Sequence, residues 1–266
     1  MIAKILPYVI VFLGSLVLTL ILTPLVREVC RLVGMVDKPD PRRINTVPIP
    51  RGGGLAIVLG MFVSYGVFLI VTGRPCIFGL PNATGSKMAV LAFSTALLGL
   101  VDDRFSLRPA LKLLGQLVIA FLVWWWADLG FNDLWPWLPR WADCVLTVFW
   151  IVGAVNAFNL IDGLDGLASG IALIATIGMA GGVFYTRDPA SVLIYLALAG
   201  SLLGFLRYNY NPASVFLGDC GSMFIGFMLS TLPLASHVPN SFLVSVGVPL
   251  LAMGVPIFDT ALAILR

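Results

Sequence analysis

Residues 5–26, ILPYVIVFLGSLVLTLILTPLV, run for twenty-two positions without a charged side chain. A helix needs about 20 mostly apolar residues to cross the hydrocarbon layer of a bilayer, so this stretch is long enough by itself. It contains Pro7 and Pro24, and no small-residue cleavage site follows a basic start, so a retained span is expected rather than a removed leader. Eight more apolar runs follow, at 55–72, 88–101, 111–127, 143–158, 167–185, 190–206, 222–236 and 241–265. The expected fold is all-α: a polytopic helical membrane protein of nine transmembrane helices, forming a single domain over residues 1–266. The third and eighth runs are short, as if those spans end early where polar residues begin.

Composition agrees. Of 266 residues 59% are apolar and 11% charged, and the mean hydropathy is +1.01. Soluble domains carry roughly 25% charged residues, so this chain lacks the surface to solvate a core of its size. Disorder, a fibrous repeat and a nucleic-acid-binding domain are excluded on the same grounds, and no nucleic-acid partner is expected. Cys30, Cys76, Cys144 and Cys220 form no CxxC pair and read as small apolar residues, with an outer Cys76–Cys144 disulfide as the alternative.

Basic residues set the orientation. With the N-terminus outside, the inner breaks and their flanks hold eleven Lys and Arg, including Arg27, Arg42, Arg43, Arg51, Lys112 and Arg207, against five outside. Trp124, Trp125, Trp126, Trp135, Trp137 and Trp141 then flank one outer break, as an interfacial aromatic belt does. This topology collects Asp102, Asp103, Asp162, Asp165 and Asp219 at the inner face, each where a span meets a break. Ionisable groups at such positions are costly to hold and point to function. Five carboxylates at one depth repel unless a cation compensates, and oxygen-only ligands without nearby Cys or His favour Mg²⁺, with Mn²⁺ as the other choice.

Four inner segments carry these groups. Asp102-Asp103 follows an apolar run directly; on a helix the two point about 100° apart and take separate roles. In Asn156-Ala-Phe-Asn159-Leu-Ile-Asp162-Gly-Leu-Asp165-Gly, a helical course would stack Asn156, Asn159, Asp162 and Asp165 in steps of three along one face. Gly163 and Gly166 would let a phosphate or nucleotide approach the backbone there. Phe216-Leu-Gly218-Asp219-Cys-Gly221-Ser222 places one carboxylate between glycines, and a helix starting near Ser222 would offer free N–H groups to an anion. The first inner loop, with Arg42-Arg43-Ile-Asn45-Thr46 and Pro50-Arg51-Gly52-Gly53-Gly54, combines stiff prolines, open backbone and arginines suited to phosphates. Asp259, inside the last run, either joins the cluster or bonds between helices.

These four segments, in this order and on one side of the membrane, resemble the motifs of the polyprenyl-phosphate N-acetylhexosamine-1-phosphate transferases, the WecA, TagO and MraY group of glycosyltransferase family 4. The resemblance covers essentially the whole chain. It implies transfer of N-acetylhexosamine 1-phosphate, with GlcNAc the better donor sugar, from a UDP-sugar to undecaprenyl or another polyprenyl phosphate at the cytoplasmic face of a bacterial inner membrane. The resemblance also implies release of UMP and a requirement for Mg²⁺. By position, Asp219 resembles the metal ligand, with Asp162 beside it. Asp102, Asp103, Asp162 and Asp165 resemble the catalytic carboxylates. Arg43, Asn45, Thr46, Arg51, Gly53, Lys112, Asn156 and Asn159 are the expected substrate contacts, and a homodimer is left open. Two departures stand out. The family usually has histidine where this chain has Asn45, and a histidine-bearing loop and further span beyond the position of Arg266. By that pattern the chain is expected to be C-terminally short. The rival classes are an intramembrane prenyltransferase, for which a second acidic motif is missing, and an ion-coupled transporter, which needs its acids near mid-membrane.

Overall fold

The computed structural model describes residues 2–37, 48–73, 82–185 and 189–235, with isolated positions 247, 250, 254 and 258. The described residues form eight α-helices: α1 (Ile2–Leu32), α2 (Gly54–Thr72), α3 (Asn82–Phe105), α4 (Pro109–Trp125), α5 (Arg140–Ile161), α6 (Leu167–Tyr185), α7 (Pro189–Asn209) and α8 (Gly218–Ala235). A two-residue antiparallel bridge, Val36↔Pro50 and Asp37↔Ile49, closes the base of the first loop. Six helices (α1, α2, α3, α5, α6 and α7) have the length and hydropathy to cross a membrane, while α4 has 17 residues. The ninth apolar run, with Asp259, and His237 lie outside the described residues.

The third and eighth helices do not end early. α3 runs on through Asp102 and Asp103 to Phe105, and α8 already begins at Gly218, so these acids belong to terminal helical turns rather than to the breaks. Apolar periodicity stops at the first charge, but the backbone ladder does not have to.

The bundle is built around α8. From Cys220 to Ala235 every residue is buried, and α2, α3, α5 and α6 pack on it. Outward faces carry exposed Val9, Leu13, Val17, Ile21 and Leu25 on α1, and Ile174 and Ile177 on α6. Such continuous apolar surface would aggregate in water and is at home in lipid. Within lipid, helices associate through close packing of small residues. A Cβ on Gly54 would lie 2.1 Å from Gly221 Cα, one on Gly99 2.3 Å from the Asp219 carbonyl oxygen, and one on Gly226 2.7 Å from Val155 Cα. Three neighbours therefore touch the backbone of α8 itself. Gly200 does the same for α7 against Phe12 of α1.

Cys30 and Cys220 are buried and, like Cys144, are free thiols. At the bundle end carrying the α4–α5 connection, buried Asp143 accepts hydrogen bonds from Trp124 Nε1 (2.7 Å) and the Phe131 N–H (2.7 Å). Arg140 stacks over Trp124 in the same corner.

Candidate functional site

The opposite bundle end gathers the C-termini of α3, α5 and α7 and the N-termini of α2, α4, α6 and α8. α3 stops where Ser106 takes a positive φ of 50°. Asp102 Oδ1 holds that turn by accepting from the Leu107 N–H at 2.7 Å. Pro109 then starts α4, where its fixed φ suits a first helical position. One turn later Lys112 comes back over Asp102, its Nζ 2.7 Å from Oδ2.

α8 enters the site under tight control. Phe216 N–H donates to the Pro50 carbonyl, while Gly53 and Gly54 N–H donate to the Phe216 and Leu217 carbonyls, all at 2.9 Å. Asn209 Nδ2 adds a bond to the Val215 carbonyl at 3.1 Å. Gly218, with φ of 74°, turns the chain into the helix. The first free N–H groups of α8, those of Asp219 and Cys220, donate to the two oxygens of Asp103 at 2.9 and 3.0 Å. The helix start expected near Ser222 thus lies four residues earlier, at Gly218, and its free N–H groups are filled by the protein's own carboxylate, drawn to the positive end of the helix dipole. Asp103 is fully buried and faces Arg51 Nη2 at 3.4 Å rather than its neighbour Arg104. Through its bonds to the Asp219 and Cys220 N–H groups it fixes where Asp219 stands.

Asp219 is the meeting point. Its Oδ1 accepts from Lys112 Nζ at 3.1 Å and from Asn159 Nδ2, and its Oδ2 lies 3.6 Å from Arg51 Nη2. Asn159 also donates to Ser222 Oγ at 3.0 Å and accepts from Lys112 at 3.0 Å. α5 ends at Ile161, so Asp162 (φ −76°, ψ 44°) lies in the following turn and not on a continued helical face. Burial of its carboxyl group pushes its pKa well above the usual carboxylate range, and the negative charges of Asp103 and Asp219 push the same way. A hydrogen bond from the Gly218 backbone opposes them.

Six sequence-expected residues therefore converge with Asp162: Asp102, Asp103, Asp219, Arg51, Lys112 and Asn159. Others do not. Asp165 Oδ2 accepts from Asn211 Nδ2 (3.1 Å) and the Ala213 N–H (2.9 Å), tying the α5–α6 turn to the α7–α8 loop. Asn156 donates to Gln116 on α4 (2.7 Å) and to its own helix at Val152. It shares the α4-facing line of Asn159 but sits one turn away from the acids. Gly53 is buried, its N–H donates to the Phe216 carbonyl, and a Cβ there would lie 2.7 Å from Phe205, so close packing accounts for the glycine. Gly163 alone keeps the open space expected of it. Arg43, Asn45 and Thr46 lie outside the described residues. Sequence reasoning passed over Gln116, a buried polar residue one turn after Lys112, for which the i, i+4 spacing was the available signal.

If all four converging acids are ionised, Arg51 and Lys112 leave two negative charges over. No three acidic, His or Cys side chains form a metal cage among the described residues. Mg²⁺ does not need one: it commonly binds one or two carboxylates and completes its shell with waters and substrate phosphates. Asp219 and Asp162 are the carboxylates that could hold such an ion, Asp162 only on giving up its tightly held proton.

Comparison with known proteins follows the same lines. The sequence profile of glycosyl transferase family 4 matches residues 86–237. The chain is 37% identical over 97% of its length, and 71% of the relative's, to a Bacillus subtilis (strain 168) protein named "Probable undecaprenyl-phosphate N-acetylglucosaminyl 1-phosphate transferase". It is 32% identical to the decaprenyl-phosphate N-acetylglucosaminephosphotransferase of Mycobacterium tuberculosis (strain CDC 1551 / Oshkosh), over 96% of this chain and 69% of that protein. A phospho-N-acetylmuramoyl-pentapeptide-transferase of Listeria monocytogenes is 32% identical over 71% of this chain and 61% of its own.

Proposed function

The chain belongs to glycosyl transferase family 4, and from that premise we propose that it transfers N-acetylglucosamine 1-phosphate from a UDP-sugar to undecaprenyl or another polyprenyl phosphate in a bacterial inner membrane. The observation carrying this reading is the meeting of Asp102, Asp219, Asn159, Arg51 and Lys112 at one end of an apolar bundle. A lipid phosphate cannot leave the bilayer and a UDP-sugar cannot enter it, so their reaction needs charged groups at that boundary. An oxygen of the lipid phosphate attacks the donor's β-phosphorus; the bond from that phosphorus to the bridging oxygen breaks, and UMP leaves. Such transfers depend on positioning and electrostatics more than on covalent help from the protein.

In this scheme Arg51 and Lys112 bind phosphate oxygens, and Asp102 holds Lys112 while facing the incoming lipid headgroup. Asn159 sets the orientation of Asp219, and Asp103 sets its place. Asp219 and Asp162 would hold a divalent cation, Mg²⁺ or Mn²⁺, whose charge would neutralise that of the diphosphate. Arg43, Asn45 and Thr46 of the first inner loop are proposed as further donor contacts. The finer topology proposed is nine spans with the N-terminus outside and the site cytoplasmic. Acids grouped at a bundle end, instead of midway along it, favour a transferase over an ion-coupled transporter.

The test is UMP release by the purified chain in nanodiscs, supplied with UDP-GlcNAc, polyprenyl phosphate and Mg²⁺. Product that depends on all three is expected, and Asp219→Asn should lower turnover at least about a thousandfold. Absence of UMP from the folded wild-type chain, or full activity in Asp219→Asn, would overturn the reading.

A further inference from the structure

Lys112 stands where a cation would be sought. Its ammonium has three N–H donors, and it has three partners: Asp102 Oδ2 at 2.7 Å, Asn159 Oδ1 at 3.0 Å and Asp219 Oδ1 at 3.1 Å. All three acceptors are of the kind a hard divalent ion prefers. The side chain reaches them from a different helix, through a four-carbon stem that can swing without moving the backbone. Asp219 Oδ1 already receives both Lys112 and the Asn159 amide, which uses both of its lone-pair positions. A metal ion taking that oxygen must displace a donor. One taking Oδ2 instead would sit a few ångströms from an ammonium of like charge. Both donors have other anchors, Asn159 on Ser222 and Lys112 on Asp102, but only Lys112 carries a charge that repels the ion, and its stem lets it leave Asp219 while staying near Asp102.

We infer that Lys112 is the resident counter-ion of the Asp219 site, that a divalent cation and the Lys112 ammonium exclude each other there, and that the displaced ammonium turns to the phosphates of the bound substrate. The inference rests on the transferase reading for what the released lysine does, but not for the exclusion itself. Lys112 then acts twice. It keeps the acids folded together before substrate arrives, and it adds a positive charge to the diphosphate once the metal has taken its place. The divalent ion consequently binds weakly to the substrate-free protein and strongly only when phosphates are present to receive the lysine.

Mn²⁺ binding to the full chain in nanodiscs, without nucleotide or lipid phosphate, tests this by calorimetry or by the Mn²⁺ resonance signal. Removing the like charge in Lys112→Met should tighten Mn²⁺ binding at least about tenfold, while transferase turnover falls. Lys112→Arg should return binding to the weak wild-type level. A lysine that is merely structural would leave Mn²⁺ affinity unchanged or lower it on removal, and either result overturns the inference. Should Lys112→Met not fold, wild-type protein decides. Saturating Mn²⁺ should speed modification of Lys112 by an amine-reactive reagent, read by mass spectrometry, and an unchanged or slower rate overturns the inference. Wild-type protein that releases no UMP defeats the transferase reading; active wild-type with unaltered Mn²⁺ affinity in Lys112→Met defeats only the exclusion.

Discussion

Gly99→Ala adds a single methyl group, yet its effect should be large. Gly99 lies on α3 one turn before Asp103, and an added Cβ would stand 2.3 Å from the Asp219 carbonyl oxygen, 2.5 Å from its carbon and 2.6 Å from Cys220 N. Ordinary contact begins at 3.4 Å, and all three atoms are backbone, so no rotamer can relieve the clash. α3 and the first turn of α8 must part by about 1 Å, since packed interiors hold no slack of that size. The two bonds from Asp103 to Asp219 N–H and Cys220 N–H, now 2.9 and 3.0 Å, would then stretch towards about 4 Å and be lost as hydrogen bonds. Bonds to a charged acceptor contribute about 1.5–3 kcal/mol each. Allowing for partial relaxation, the total loss is about 3 kcal/mol. Asp219 moves with its helix, and misplacement of a reacting constellation by about 1 Å costs roughly a hundredfold in rate. Thermal melting and UMP release on the same nanodisc preparation measure both effects. Gly66→Ala is the control: nothing lies within 4 Å of its Cβ, and it should gain about 1 kcal/mol from helix propensity. If Gly99→Ala matches wild type in melting temperature and stays within twofold in turnover, the glycine-dependent placement of Asp219 is wrong.

Asp103→Asn should cost about 3 kcal/mol and most of the turnover, because an amide leaves one of the two α8 N–H groups facing a donor and removes one of the two carboxylates that face Arg51; wild-type stability would show that the cap is dispensable. Asp165→Ala should lower stability by about 1–2 kcal/mol through loss of the Asn211 and Ala213 bonds, with turnover within about tenfold of wild type. Abolished turnover in a fully stable Asp165→Ala protein would instead put Asp165 on the substrate. Asp162 is predicted from its raised pKa: the folded state holds the proton more tightly than the unfolded chain, so its contribution to stability is greatest at low pH and is lost as pH rises above the ordinary carboxylate range. In metal-free buffer Asp162→Asn should therefore melt higher than wild type at neutral pH, with the gap closing as pH falls towards the unfolded pKa. A gap that widens on acidification would refute the assignment.

Much of this was legible in the chain. The apolar run at 5–26 and its successors required a helical bundle in lipid, because nothing else satisfies the backbone there. Placing Asp102, Asp103, Asp162 and Asp219 at the ends of those runs put them at one end of the bundle. Periodicity was less informative about which of them meet. Asn156, Asn159, Asp162 and Asp165 look equivalent at three-residue spacing, but α5 stops at Ile161, and the four side chains find different partners: Gln116, Asp219, the Gly218 backbone and the α7–α8 loop.

The sequence by itself determined the solvent of this protein and the depth of its charges, because hydrophobic length and the cost of burying ions are local properties that each segment carries with it. Only the tertiary structure decided that Asp103 caps α8, that Lys112 lies among Asp102, Asn159 and Asp219, and that Gly53 packs against Phe205 and Phe216. Those outcomes depend on how closely helices distant in sequence can approach. That distance is set by backbone contacts at Gly54, Gly99 and Gly226, whose partners lie in other helices and leave no periodic mark in the chain.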